Sequence, residues 1–355
     1  MMDPRTTHMF QEAGQVGEMI ARQIADLPLT EQLVARTQQS HNGHFLTIAR
    51  GSSDHAANYF SYLVTSRLGI VTSSLSPSLI TVHRAPLNVS DATVFGFSQS
   101  GASPDLIESV QYLAQRGAQT IACVNQPDSP LSHVAHHQWP IHAETEQSVA
   151  ATKSCIGIMS LAAQWVGLWQ KDRQLLSDIH HLSRWMAAPD FERTTDELAP
   201  YLPIDQAYVI GRGLSYSIAL EAALKLKETC AIQAEAFSVA EVRHGPMRLI
   251  ERDYPVFVFI TNGVEQAQLI EFSVEMARRG ARILAWCLSD LTLQHTLHQA
   301  GIQTQVVPIA AADLDPVLTP LVLLQNFYQW VNHLAIARGL NPDQPLFLNK
   351  VTQTH

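Results

Sequence analysis

Charge is scarce in this chain of 355 residues: only 15% are Asp, Glu, Lys or Arg, and the formal balance is -9. No cluster of Lys or Arg stands out, so nucleic acid is not an expected partner, because binding a phosphate backbone needs a basic face. Long apolar runs are missing as well. No stretch of about 18 uncharged apolar residues occurs, and no membrane span is expected. The opening MMDPRTTHMFQEAG is polar and lacks the apolar centre of a secretion signal. Cysteine is sparse, with Cys123, Cys155, Cys230 and Cys287 and no CxxC spacing. Buried thiols in a reducing cytoplasm are expected rather than disulfides. The 16 histidines include no HExxH. His136-His137 and His180-His181 are adjacent pairs, which cannot share one face of a helix or strand, so no metal site is expected.

What the chain has is apolar material, 46% of its residues, and a repeat. FLTIARGSS (45–53) matches AYVIGRGLS (207–215) at an offset of 162, and TVFGFSQSG (93–101) matches PVFVFITNG (255–263) at the same offset. LAQRGAQTIACV (113–124) matches MARRGARILAWC (276–287) at an offset of 163. Each half alternates short β-branched runs with helical patterns. That alternation predicts an α/β fold: two tandem doubly wound parallel sheets, related by the repeat. Strands are predicted near 45–49, 93–97, 119–124, 207–211, 255–260, 282–287 and 303–307, with long helices near 54–67, 104–116, 152–170, 215–230, 264–279 and 316–338. The division expected is a helical segment over 1–40, a first domain over 41–190, a second over 191–340 and a tail over 341–355. The polar stretch 171–205, with Pro189, is expected to link the halves.

Two turns draw attention. FGFSQSGASPD (95–105) runs from a buried strand into a helix start, with Ser103 at the cap, Pro104 at the first helical position and Asp105 in the first turn. In a parallel sheet ligands bind beyond the carboxyl ends of the strands, where helix N-termini present N–H groups. The hydroxyls of Ser98, Ser100 and Ser103 and the amide of Gln99 add donors, a set that suits a phosphate. ARGSSDH (49–55) builds a second turn of the same kind. Plain helix capping would account for either turn alone; their place at corresponding strand ends favours the anion. The second half has TNG in place of SQSG, so one phosphate pocket per chain is expected, built mostly from the first half.

The stretch ALEAALKLKETCAIQAEAFSVAEVRHGPM (219–247) is the densest in chemistry. Lys225 and Glu228 are three apart and share a helix face. Leu224, Leu226 and Ala223 surround them, so the carboxylate and the lysine are expected to be largely buried, as in a tuned acid/base. His244 follows in a loop, and histidine is a side chain able to move protons at neutral pH.

Taken together, GSS (51–53), SQSGAS (98–103), EQSVAATK (146–153), ALEAALKLKE (219–228), AEAF (234–237), RHGP (243–246) and DQPLFLNKVT (343–352) resemble the tandem sugar isomerase (SIS) domain family, and within it the isomerase part of glucosamine-6-phosphate synthase. The likeness runs over nearly all of residues 40–355 and implies a flavodoxin-like fold for each half. It implies that Ser98, Gln99, Ser100 and Ser103 hold the phosphate, that Ser53 touches the sugar, and that Val149 and Ala151 line the pocket. Glu228 would then shuttle a proton between C1 and C2, with Lys225 beside it. His244 would assist ring opening at the neighbouring subunit's site, which implies a homodimer. Lys350 would close over the sugar and could form a Schiff base. Three positions depart from the pattern: Ala102 in the phosphate turn, Ala151 where a serine is usual, and Asn349 where alanine is usual.

The chain opens Met1-Met2-Asp3, so an unmasked N-terminal cysteine for glutamine hydrolysis is not expected, and synthesis from glutamine is set aside. The expectation is a cytoplasmic amino-sugar-phosphate deaminase that converts glucosamine 6-phosphate and water to fructose 6-phosphate and ammonia, without metal or redox cofactor. The same scaffold would also serve a deglycase of fructosamine 6-phosphates or a galactosamine-6-phosphate deaminase/isomerase. A sugar-phosphate sensor without turnover is a further reading, but the opening 40 residues are not basic and show no recognition helix.

Overall fold

The computed structural model describes residues 2–40, 43–187 and 195–350. In chain order the elements are α1 (His8–Gly14), α2 (Val16–Ala25), α3 (Leu27–Ser40), β1 (Phe45–Ile48), α4 (Gly51–Leu68), β2 (Thr72–Ser74), α5 (Ser78–Thr81), β3 (Thr93–Ser98), α6 (Pro104–Gln115), β4 (Gln119–Val124), α7 (Pro130–Val134), β5 (His137–Pro140), α8 (Lys153–Gln170) and α9 (Arg173–Trp185). There follow α10 (Thr195–Leu198), β6 (Gln206–Gly211), α11 (Leu214–Cys230), β7 (Gln233–Ser238), α12 (Val239–Val242), β8 (Pro255–Phe259), α13 (Gln266–Arg278), β9 (Arg282–Ser289), α14 (Leu291–Gln299), β10 (Gln303–Ala310) and α15 (Thr319–Ala337).

The chain divides into two compact units. One comprises Val16–Glu146, Lys153–Arg184 and Asn349–His355, and the other Met1–Gln15, Gln147–Thr152 and Trp185–Leu348. The first holds a five-stranded sheet of order β2-β1-β3-β4-β5, all parallel. The second holds one of order β10-β9-β8-β6-β7, again all parallel. Read from the other edge, β7-β6-β8-β9-β10 is the first order over again, so the repeat in the sequence is a repeat of topology. The cores repeat too. Phe95 packs edge-on against Trp165 in the first unit, and Phe257 does the same against Trp286 and Trp330 in the second.

Every predicted strand is present, but β2, β5 and β7 went unread. All three are thin in buried apolar side chains: β2 is the exposed run TSS, and β7 has one buried residue, Ala234. β2, β5 and β7 are edge strands, with a neighbour on one side only. β10, also an edge, tolerates Pro308 where its register shifts between Val307 and Ala310. Helix α14 was also unread; Asp290 caps it, accepting from the N–H groups of Thr292 at 2.9 Å and Leu293 at 3.0 Å.

The stretch 171–205 is not a plain linker. Its first part is α9, an amphipathic helix that buries Leu175, Ile179 and Leu182. Apolar residues at that spacing seek a core. Pro189 lies outside the described residues. The opening segment is helical as expected, but it is shared. Helices α2 and α3 belong to the unit of the first sheet, while α1 belongs to that of the second. There Thr7 Oγ1 donates to Asn332 Oδ1 at 2.7 Å, and Gln325 Nε2 on α15 donates to the Ala13 carbonyl at 2.8 Å. No helix among the described residues is long and apolar enough to cross a membrane.

All four cysteines are free and buried. Burial pushes the Cys123 thiol well above its usual range, and pushes Cys230 and Cys287 up to about 12. A thiol in that state supplies almost no thiolate at neutral pH. A disulfide-exchange reagent at pH 8 is therefore expected to titrate none of the four within minutes in the folded protein and all four in denaturant; prompt labelling of the folded chain would contradict the burial.

Candidate functional site

In a sheet of order 2-1-3-4-5 the chain leaves β1 toward β2 on one side and is carried to β3 on the other. The crevice at that switch point, beyond the carboxyl ends of β1 and β3, is where such folds bind ligands. The turns 49–53 and 98–103 are the ones that leave those two strand ends. Gly51 and Gly101 adopt φ of +54° and +61°, conformations that L side chains rarely take. At Gly101 a side chain is also barred by space, since a Cβ would lie 2.1 Å from Ser129 Oγ. The turn is braced from behind as well, because the Gly101 carbonyl accepts from the Leu131 N–H at 2.9 Å.

The serines of this turn hold its shape and keep hydrogen to give. Ser98 Oγ accepts from the Gly101 N–H at 3.0 Å, and Ser100 Oγ accepts from the Ala102 N–H at 3.2 Å. Each hydroxyl used as an acceptor retains its own O–H for a ligand. Ser103 stands at the cap of α6 as predicted, yet its side chain makes no capping hydrogen bond. Gln99 is half-buried in the same turn, and Ser53 lies half-buried in the first turn of α4. The Ser52 carbonyl there accepts from Cys155 Sγ at 3.4 Å, which ties α4 to α8.

The second repeat uses the same places differently. Asn262, at the position of Ser100, donates to the carbonyls of Ala311 at 2.8 Å and Leu314 at 3.1 Å and accepts from Thr319 Oγ1. Glu265 stands where Ser103 stands, and its carboxylate lies against Gly213, so that a Cβ on that glycine would be 2.1 Å from Oε1. One copy of the turn thus offers donors, and the other has spent them and carries an acid of its own.

The unit of the second sheet holds the acid/base candidates. Lys225 on α11 is wholly buried, with Nζ 2.6 Å from Glu228 Oε2 and 3.2 Å from Glu221 Oε1. Tyr328 on α15 donates its hydroxyl to Glu221 Oε1 at 2.9 Å. Glu221 is fully buried, whereas 23% of the Glu228 side chain is exposed, so of the two carboxylates Glu228 is the one open to solvent. The sequence spacing foresaw the Lys225–Glu228 pair but not Glu221 and Tyr328 beside it. Glu221 had a signal in its i,i+4 spacing from Lys225; Tyr328, 107 residues away from Glu221, had none.

His244 is exposed in a loop after α12 and adjoins Pro246, whose carbonyl accepts from Tyr208 Oη at 3.2 Å. Val149 and Ala151 are half-buried in the segment Gln147–Thr152. That segment is held by the Val149 N–H donating to the Asp343 carbonyl at 3.0 Å, and Asp343 in turn caps α1, accepting from the N–H groups of His8 and Met9 at 2.8 Å each. In the unit of the first sheet, Lys350 Nζ lies 3.2 Å from Glu146 Oε2, a fully buried carboxylate that also accepts from Ser154 Oγ at 2.8 Å. This lysine therefore has a carboxylate partner that the sequence reading did not foresee. Val351–His355 lie outside the described residues.

The SIS domain model matches the chain twice, over residues 40–166 and 202–328. The chain belongs to the SIS domain family. The two SIS matches fall at the offset of the internal repeat, and each covers one of the sheets. Among relatives, the isomerizing glutamine–fructose-6-phosphate aminotransferase of Gloeobacter violaceus is 32% identical over 319 residues, 85% of this chain and 50% of that protein. The aminotransferase of the same name from Aeropyrum pernix is 31% identical over 320 residues, 87% of this chain and 51% of its own. The chain spans about half the length of the curated relatives it matches. Among solved structures, a protein from Silicibacter pomeroyi DSS-3 named as a candidate phosphosugar isomerase superposes with a TM-score of 0.84 at 31% identity, covering 95% of this chain and all of that one. The glucosamine-6-phosphate deaminase of Thermotoga maritima shares the fold, with a TM-score of 0.68 at 18% identity, covering 96% of this chain and 100% of its own.

Removing the cation from the α11 cluster leaves Glu221 buried beside a second carboxylate. Lys225→Met is expected to lower the unfolding free energy by about 3–5 kcal/mol in urea, the usual cost of stranding a buried charge. Glu228→Gln, at the partly exposed end, should cost far less; equal losses for the two variants would contradict this arrangement.

Proposed function

We propose that the chain is an amino-sugar-phosphate deaminase that converts D-glucosamine 6-phosphate and water to D-fructose 6-phosphate and ammonia. The observation that carries this is the α11 cluster, a carboxylate at a partly exposed surface held by a buried ammonium, in a chain whose first repeat presents a donor-rich turn suited to phosphate. In this reading Ser98, Gln99, Ser100 and Ser103 hold the phosphate with backbone N–H groups at the start of α6. Ser53 and the segment with Val149 and Ala151 bind the sugar. His244 opens the ring by proton transfer to its oxygen.

The open-chain sugar carries an aldehyde at C1 and the amine at C2. Glu228 takes the C2 proton, and the electron pair passes to the C1 carbonyl as the enaminol forms. The proton is returned to C1, leaving a hydroxymethyl group at C1 and an imine at C2. Water adds to that imine, the nitrogen leaves as ammonia, and the C2 ketone of fructose 6-phosphate remains. Lys225, 2.6 Å from Glu228 Oε2, holds the carboxylate in place. Lys350, paired with Glu146, serves as a cation; a Schiff base at this residue would first require that pair to open and the ammonium to lose its proton.

The test is ammonia release from glucosamine 6-phosphate by the purified protein, with fructose 6-phosphate formed in equal amount and glutamine absent. Glu228→Gln should then lower kcat by about 10²–10⁴-fold, the usual share of one acid/base group, with KM changed little. No ammonia from a chain that still binds the sugar phosphate would reject the deaminase and direct the assay to fructosamine 6-phosphates.

The exposed ring of His244 is consistent with service at a neighbouring subunit's site, and the proposal therefore includes a homodimer. Mixing Glu228→Gln with His244→Asn chains under exchange conditions should restore about a quarter of wild-type turnover per mixed population, since half the dimers are hybrids and each hybrid then has one intact site. Two inactive variants that stay inactive when mixed would place the histidine in its own subunit's site.

A further inference from the structure

The turn assigned to phosphate has a charge of the wrong sign beside it. Asp105 follows Ser103 by two residues, in the first turn of α6, and its side chain is 2% exposed. Its Oδ1 accepts from the Leu106 N–H at 2.9 Å. A carboxylate so placed, screened little by water, repels an anion arriving at the same helix start. A second carboxylate, Asp54, stands in the first turn of α4, where burial raises its pKa while His55 and Arg50 pull it down.

Arg50 meets both. It is the second of the two residues between β1 and α4, and its guanidinium reaches across to the start of α6, with Nε 3.0 Å and Nη2 2.8 Å from the one oxygen, Asp105 Oδ2. Its side chain is 48% exposed, so the far side of the guanidinium faces water. The second repeat sharpens the point. Arg212 keeps the place of Arg50, but Ala267 stands at the place of Asp105. The ion pair therefore occurs only in the copy whose turn keeps its donors.

We infer that Arg50 is a positioning residue for phosphate: it cancels the Asp105 charge and ties the end of β1 to the start of α6, keeping turn 98–103 receptive to a dianion without itself being the phosphate ligand. This rests on the phosphate-binding reading of that turn. It predicts that the arginine is needed only while the aspartate is there.

The test is calorimetric titration of the full chain at low salt with fructose 6-phosphate, and with inorganic phosphate as the second probe. Arg50→Gln should weaken binding about tenfold, while Arg50→Lys should stay within about threefold of wild type, because a lysine keeps the charge. Asp105→Asn alone should bind about as tightly as wild type or up to about tenfold more tightly, since the guanidinium is then unopposed. Arg50→Gln with Asp105→Asn should return to within about threefold of wild type. If Arg50→Gln does not fold, the last two variants still decide the matter, for neither leaves a buried carboxylate alone. The inference is overturned if Arg50→Gln binds like wild type, if the double variant stays as weak as the single one, which would make Arg50 a direct ligand, or if Asp105→Asn weakens binding. A wild-type chain that binds neither probe removes the phosphate reading and the inference with it, whereas a wild-type chain that binds alongside an unaffected Arg50→Gln removes the inference alone.

Discussion

A parallel sheet with strand order 2-1-3-4-5 obliges its chain to depart from one central strand in both directions. The backbone cannot fill the gap this leaves beyond the strand ends, because the helices that follow β1 and β3 diverge to opposite faces. Two helix starts therefore face one crevice, and the partial positive charge of their N–H groups is a property of the fold before any side chain is chosen. Everything particular to this chain in that region answers to that constraint. Glycines at positive φ let the backbone turn in, Ser98 and Ser100 lock the turn while keeping their own hydrogens, and Ser129 and Leu131 brace it from behind.

The α11 cluster obeys a different rule. A buried ammonium is costly unless its partners are close and themselves satisfied. Lys225 meets this with two carboxylates, one of which is held by the Tyr328 hydroxyl, while Thr229 Oγ1 donates to the Lys225 carbonyl at 2.8 Å. Of the two carboxylates only Glu228 reaches solvent, with 23% of its side chain exposed. Two acids on one helix are thus placed differently: Glu221 meets the lysine in the interior, and Glu228 meets it at the partly exposed end.

The parts of this architecture that could be read in advance are those where local pattern and burial agree. Strands β1, β3, β4, β6, β8 and β9 are continuous apolar runs because both faces of a parallel sheet are covered, and the same runs at a fixed offset disclosed the repeat. The edge strands were illegible because an edge needs backbone pairing on one side and little apolar side chain, as TSS in β2 shows. Local arrangements carried by a turn or by helix spacing were legible, namely the turn of Ser98, Ser100 and Ser103 and the Lys225–Glu228 pair. Tyr328, the Glu146 partner of Lys350 and the Arg50–Asp105 pair were not, since each depends on a meeting of segments far apart in the chain. The sharing of the N-terminal helices between the two units was invisible for the same reason.

Glu265 gives the duplication a consequence beyond symmetry. Two copies of a fold that attracts anions would ordinarily give a chain two seats for one ligand, and the unproductive seat would draw substrate away from the productive one. In the second copy a carboxylate carried by the chain itself lies against Gly213 at the helix start. Such a carboxylate is carried by the chain wherever the second repeat folds. The two copies of one topology thus present different chemistry at the same helix start, hydroxyls in the first repeat and a carboxylate in the second.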